Sequence, residues 1–109
     1  MTNWNVSPHA AEVHAEALVW DNHSCVTLDL DNRYMPDLRR LRPGGVDMLV
    51  LNVGFDAYPW ERTVLRLAHL RRWVATHPEE YLLGLSVDEI SRARQGCLTT
   101  VELIVSIYD

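Results

Sequence analysis

The sequence has no lysine. All ten basic residues are arginine, and fifteen acidic residues leave a formal charge of −5. A negative chain without a basic patch interleaved with aromatics argues against a nucleic-acid-binding surface. Cysteine is scarce as well, with only Cys25 and Cys97 present. Two such residues make neither a disulfide framework nor a zinc-knuckle spacing, so a reducing, cytoplasmic setting is the expectation. No apolar run approaches the roughly 18 residues of a membrane span, and the first residues lack a charged leader ahead of an apolar core. No membrane segment is therefore expected. Internal repeats and low-complexity tracts are also missing. At 109 residues the chain is long enough to bury a core as one domain.

What is present alternates between strand and helix signals. Residues 1–16 form a polar lead-in, with Ser7 placed to cap a helix over Pro8–Ala17 and Pro8 at its first position. His9 and His14 do not share a helical face and read as solvated. Ala17–Trp20 is a short apolar strand with Trp20 expected in the core at its end, and Val46–Val53, centred on Met48-Leu49-Val50-Leu51, reads as a parallel strand covered on both faces. Between them, Val26–Arg33 is a loop in which Asp29 and Asp31 lack the glycine and glutamate of a calcium loop. Pro36–Leu41 reads as a short helix with Leu38 and Leu41 inward, stopped by Pro43-Gly44-Gly45. Strand, helix and strand make one right-handed crossover.

Pro59 suits the first turn of a helix over Trp60–His77, whose stripe of Trp60, Val64, Leu67, Leu70 and Val74 is expected to face inward. Arg62, Arg66 and His69 fall on its polar face. His69, Trp73 and His77 share another, which suggests a subunit or domain contact. Pro78 ends the helix, Tyr81–Leu85 reads as an apolar connector, and Ser86-Val87-Asp88-Glu89 is a capping box for a helix stopped at Gly96. Leu98–Tyr108 reads as a third strand, with Val101, Leu103, Val105 and Ile107 on one face.

Chemistry concentrates at Asp21-Asn22-His23-Ser24-Cys25. If the chain stays extended beyond Trp20, period-two alternation puts Asp21, His23 and Cys25 on one side, at the carboxyl end of a strand. Ligands and catalytic groups collect at that end in α/β folds. The same residues also read as a strand followed by a polar loop, with His23 an ordinary loop residue. Asn52, Asp56 and Tyr58 lie at the same carboxyl edge and are candidate wall residues; each also reads as part of a plain β-to-α connection.

Asp21-Asn22-His23-Ser24-Cys25 resembles the opening motif of the membrane (renal) dipeptidase family of zinc peptidases. There the pattern is Asp-x-His-x-Asp at the end of the first barrel strand, its His and second Asp binding metal. The likeness continues through Arg42–Val46, the helix around Pro59–His77 and Ser86–Gly96. The resemblance implies an α/β fold: about three parallel strands with intervening helices, the amino-terminal part of a (β/α)8 barrel. A closed barrel needs about 250 residues, so residues 1–109 are expected to be a single partial domain. The implied activity is hydrolysis of dipeptide substrates at a two-zinc centre, in which paired ions activate water and stabilise the oxyanion.

On this sequence His23 carries over as a metal ligand, with Cys25 and Asp21 as further candidates. Three departures limit the analogy. Cys25 stands where the family has its second Asp, as in similar bacterial members. The Glu-Gly that should end the third strand is missing near Val105, and Glu102 comes three residues early. The later ligands and the catalytic acid are absent, as a truncation or altered frame near Gly96–Cys97 would produce. The expectation is a truncated homologue that binds at most one zinc, is inactive by itself and self-associates through an uncovered barrel surface. The alternative is a non-catalytic α/β binding or assembly module.

Overall fold

The computed structural model describes residues 5–25, 38 and 40–106. In chain order the elements are α1 (Pro8–Glu16), β1 (Trp20–Ser24), β2 (Met48–Phe55), α2 (Trp60–Ala75), β3 (Tyr81–Leu83), α3 (Val87–Gln95) and β4 (Thr99–Ser106). The strands form one parallel sheet in the order β1-β2-β4-β3. The parallel α/β architecture is as expected, but four described strands replace the expected three. Tyr81–Leu83, expected as a connector, pairs with Thr99–Val101 at the sheet's edge. At three residues it is too short to show a period of its own.

The central strand β2 is buried along Met48–Gly54, as its unbroken apolar run requires. Its alternate residues feed two cores. Leu49, Leu51 and Val53 join Leu70 and Val74 of α2, together with Leu38, Tyr81 and Val101. Met48 and Val50 join Ile90 of α3. The helices therefore lie on opposite faces, and the strand order explains why. The connection through α2 runs past β4 to the far edge, whereas the one through α3 returns. Keeping a right-handed crossover while reversing direction moves the helix to the other face.

Local signals are largely used as written. Ser7 Oγ accepts from the Ala10 amide at 3.2 Å, with Pro8 in the first turn of α1. Gly45 takes φ +82°, the left-handed exit expected there. Ser86 Oγ accepts from the Glu89 amide at 3.3 Å, and the Glu89 carboxylate accepts from the Leu85 amide at 2.7 Å. The residue beyond α3 that turns left-handed is Cys97, φ 57°, whereas Gly96 keeps φ −85°. The expected short helix over Pro36–Leu41 and the loop bearing Asp29 and Asp31 lie largely outside the described residues.

The inward stripe of α2 differs in phase from the expected one. Thr63, Leu70 and Val74 are buried, while Trp60 and Val64 are exposed. Gly54 explains the shift: a side chain there would overlap Thr63, so its absence lets Thr63 seat directly on β2. Trp73 also turns inward, packing against the core and against Tyr81 at 5.1 Å between ring centroids, with His77 stacked on it at 4.2 Å. Its expected role as an outward contact is thus replaced by packing within the chain.

Helix α1 is exposed throughout, and its junction with β1 is fixed from outside. Arg94, in the last turn of α3, donates to the carbonyls of Glu16 (2.6 Å) and Ala17 (3.0 Å). It also lies 3.9 Å from Asp47, whose other oxygen accepts from the Val19 amide at 2.9 Å. Those carbonyls are among the four left unpaired at any helix end.

Candidate functional site

The carboxyl edge of the sheet gathers the ends of β1, β2 and β4. The first strand occupies Trp20–Ser24 in place of Ala17–Trp20, so Asp21 and His23 belong to the strand itself. Its pairing with β2 is interrupted. Asp21 stands beside Leu49 and Ser24 beside Leu51, so Asn22 and His23 together oppose Val50. This one-residue bulge breaks the period-two pattern. Asp21 and Ser24 keep their places beside Leu49 and Leu51, and Asn22 and His23 share the place beside Val50.

The expected period-two alternation through Asp21, His23 and Cys25 is interrupted by this bulge. The Asp21 carboxylate is used within the bulge, accepting from the His23 amide at 3.1 Å and from the Ser24 hydroxyl at 2.6 Å. His23 and Cys25 are exposed, and Cys25 is a free thiol. Among the described residues, no group of three or more His, Cys, Asp or Glu side chains is placed to hold a metal ion. Cys97 precedes the amino end of β4, at the other edge of the sheet from Cys25, and is likewise a free thiol.

A second irregularity lies between β2 and β4, where Asn52 pairs with Ile104 and Gly54 with Val105. The Asn52 side chain, 8% exposed, stabilises it: Oδ1 accepts from the amides of Gly54 and Ser106, each at 3.3 Å. Asn52 is thus a positioning residue that ties together two strand ends at this edge. Asp56 Oδ1 accepts from the Ala57 amide at 2.9 Å. Tyr58 is half-buried, with Phe55 edge-on at 5.0 Å. Arg66, expected on a solvated face, is also half-buried and donates to Tyr58 Oη at 2.7 Å.

Glu102, three residues early for the expected Glu-Gly, has a defined place in the sheet. It pairs with Val50, the residue that His23 opposes from the other side, so His23 and Glu102 flank Val50 on one row. Two strand spacings of about 4.8 Å put their backbones about 10 Å apart. The only sequence signal for this was the parity of the β4 alternation, and the β1 bulge hid the matching register.

Trp20, expected in the core, is 46% exposed because β1 is an edge strand. No helix among the described residues is long and apolar enough to cross a membrane.

No family model matches the sequence, and no curated protein does. A solved structure, described as an amidohydrolase from Pseudomonas aeruginosa, is similar to this chain with a TM-score of 0.71 at 17% identity. The match covers 85% of this chain and 27% of that one, so the chain spans about a quarter of that protein's length. Likeness at this identity establishes the fold. The chain shares the parallel α/β arrangement of that part of the neighbour.

Proposed function

We propose that the chain is the opening portion of a zinc-dependent hydrolase of the membrane dipeptidase type, supplying His23 to a metal site and inactive towards dipeptides by itself. The observation that supports this reading is His23 at the carboxyl end of an edge strand in an amidohydrolase-like parallel sheet. The donor set fits such a centre only in part. Asp21 is engaged within the bulge, leaving His23 and Cys25, whereas a catalytic zinc ordinarily has three protein ligands. When bound, zinc would supply Lewis-acid activation of water. His23 and Cys25 would contribute a soft, incomplete set of ligands.

Calorimetric titration of the 109-residue chain with zinc, followed by dipeptide assays in excess metal, tests the proposal. One weakly bound zinc, lost in His23→Ala, with no turnover is the expected result. Two tightly bound ions, or turnover abolished by His23→Ala, would overturn the incomplete-site account. No zinc binding would remove His23 as a ligand in this chain.

A non-catalytic binding or assembly module is the second reading. It is favoured by the exposed apolar residues Leu18 and Trp20 at the β1 edge. Sedimentation showing a metal-independent, defined oligomer together with no zinc binding would select it.

A further inference from the structure

We propose that Tyr58 and Arg66 form a binding site for a carboxylate at the rim beyond β2, separate from any metal chemistry at His23. Arg66 lies over the Tyr58 ring, its guanidinium carbon 4.1 Å from the centroid, and Nη2 donates to the phenol oxygen at 2.7 Å. The arginine is therefore held in one orientation by both a stack and a hydrogen bond. Its charge is not matched: among the described residues no carboxylate pairs with it. The α2 neighbours one turn away are Arg62, Thr63, His69 and Leu70, which include no acid.

The hydrogen-bond inventory of this pair points outward. A guanidinium carries five N–H donors, and among the described residues this one uses a single donor, on Tyr58. Because Tyr58 Oη accepts that bond, its own hydrogen is available to donate. The pair thus presents a cation and a neutral donor side by side, the arrangement that a planar, two-oxygen anion satisfies. Phe55, edge-on to Tyr58 and 38% exposed, and Trp60, 68% exposed, supply apolar surface along the same loop. Aromatic surface beside an oriented arginine suits an organic carboxylate with an apolar body better than an inorganic anion.

The pair escapes sequence reading because Arg66 sits among other arginines on α2, where a solvated stripe explains it equally well. The fold adds the loop that brings Tyr58, eight residues earlier, under the guanidinium.

The test titrates the whole chain with hippurate and, separately, with hippuramide, following tyrosine and amide resonances by NMR. Hippurate is expected to bind about tenfold or more tightly than the amide, the loss expected for a hydrogen bond to a charged group. Tyr58→Phe keeps the stack but removes one donor, and it should weaken hippurate several-fold. Arg66→Gln should abolish the preference for acid over amide. Arg66→Lys, retaining charge without the planar fork, should restore only part of it. Equal binding of acid and amide, no binding of either, or a preference that survives Arg66→Gln would overturn the proposal. Inorganic phosphate binding as tightly as hippurate would overturn the assignment to carboxylates. None of these readouts requires zinc or turnover, so the metal-site reading can fail while this one stands.

Discussion

The Ser24 hydroxyl donates to the Asp21 carboxylate over 2.6 Å, closing the bulge that interrupts the pairing of β1 with β2. Replacing Asp21 with Ala strands the His23 amide and the Ser24 hydroxyl. It should cost about 1–2 kcal/mol, the scale of hydrogen bonds to a charged acceptor at a half-exposed site. Asp21→Asn keeps an acceptor and should cost less. Neither change is expected to lower zinc affinity as much as His23→Ala, because the Asp21 carboxylate is engaged by the His23 amide and the Ser24 hydroxyl. Urea unfolding and zinc calorimetry on the three variants check both statements. A zinc affinity that falls equally in Asp21→Asn and His23→Ala would make Asp21 a ligand after all.

The two tryptophans should rank opposite to their sequence expectation. Trp73 packs on Tyr81 and carries stacked His77, whose Nδ1 lies 2.7 Å from the Trp73 carbonyl. Trp20 stands at the sheet edge, 46% exposed. Trp73→Ala should cost about 2–4 kcal/mol, below the range for fully buried tryptophan, and Trp20→Ala about 1 kcal/mol or less. Chemical denaturation of both variants, with iodide quenching of the tryptophan fluorescence that each substitution removes, measures the ranking. Burial of Trp20 in solution would show that something else covers the β1 edge.

These cases show what could be read beforehand. The β2 run, the Ser7 cap, the Ser86–Glu89 box and the left-handed Gly45 were legible because each is a local pattern with a local cause. The β1 bulge was not, since an inserted residue is defined only against its partner strand. The position of β3 was equally hidden: order in a sheet depends on which edge a crossover reaches. In α2, Val64 offered more apolar surface than Thr63, yet Gly54 on another element decided which one faces inward. For the site, His23 kept its place at the carboxyl edge. The use of Asp21 within the bulge and the alignment of Glu102 with Val50 both needed the register.

Acid should weaken the start of α3. The Glu89 pKa is lowered first by the hydrogen bond from the Leu85 amide and then by that from the Ser86 hydroxyl. With the folded pKa below the unfolded one, the stabilisation is present above the unfolded value. It disappears as pH falls through the folded value. Glu89→Ala should therefore lower the melting temperature at neutral pH and have progressively less effect below the usual carboxylate range. Thermal melts of both proteins across that range provide the comparison. A difference that stayed constant into strong acid would place its origin in packing or helix propensity instead.

Gly54 and Thr63 should behave as one unit. A methyl group at residue 54 would overlap Oγ1 and Cγ2 of Thr63, with Thr63 Cβ next at 3.0 Å. Both residues are buried, so neither the strand nor the helix can yield freely. Overpacking of this kind costs about 1–3 kcal/mol. Gly54→Ala alone should fall in that range, and Thr63→Ala alone should lose packing against β2. In the double variant the new methyl enters the space left by the threonine side chain, so the combined loss should be smaller than the sum. Coupling of about 1 kcal/mol or more is expected in a double-mutant cycle from urea denaturation, well above the few tenths within which independent sites add. Strict additivity would mean that α2 shifts away from β2 to accept the methyl. The inward phase of Thr63 would then have to be set by Leu70 and Val74 instead of by Gly54.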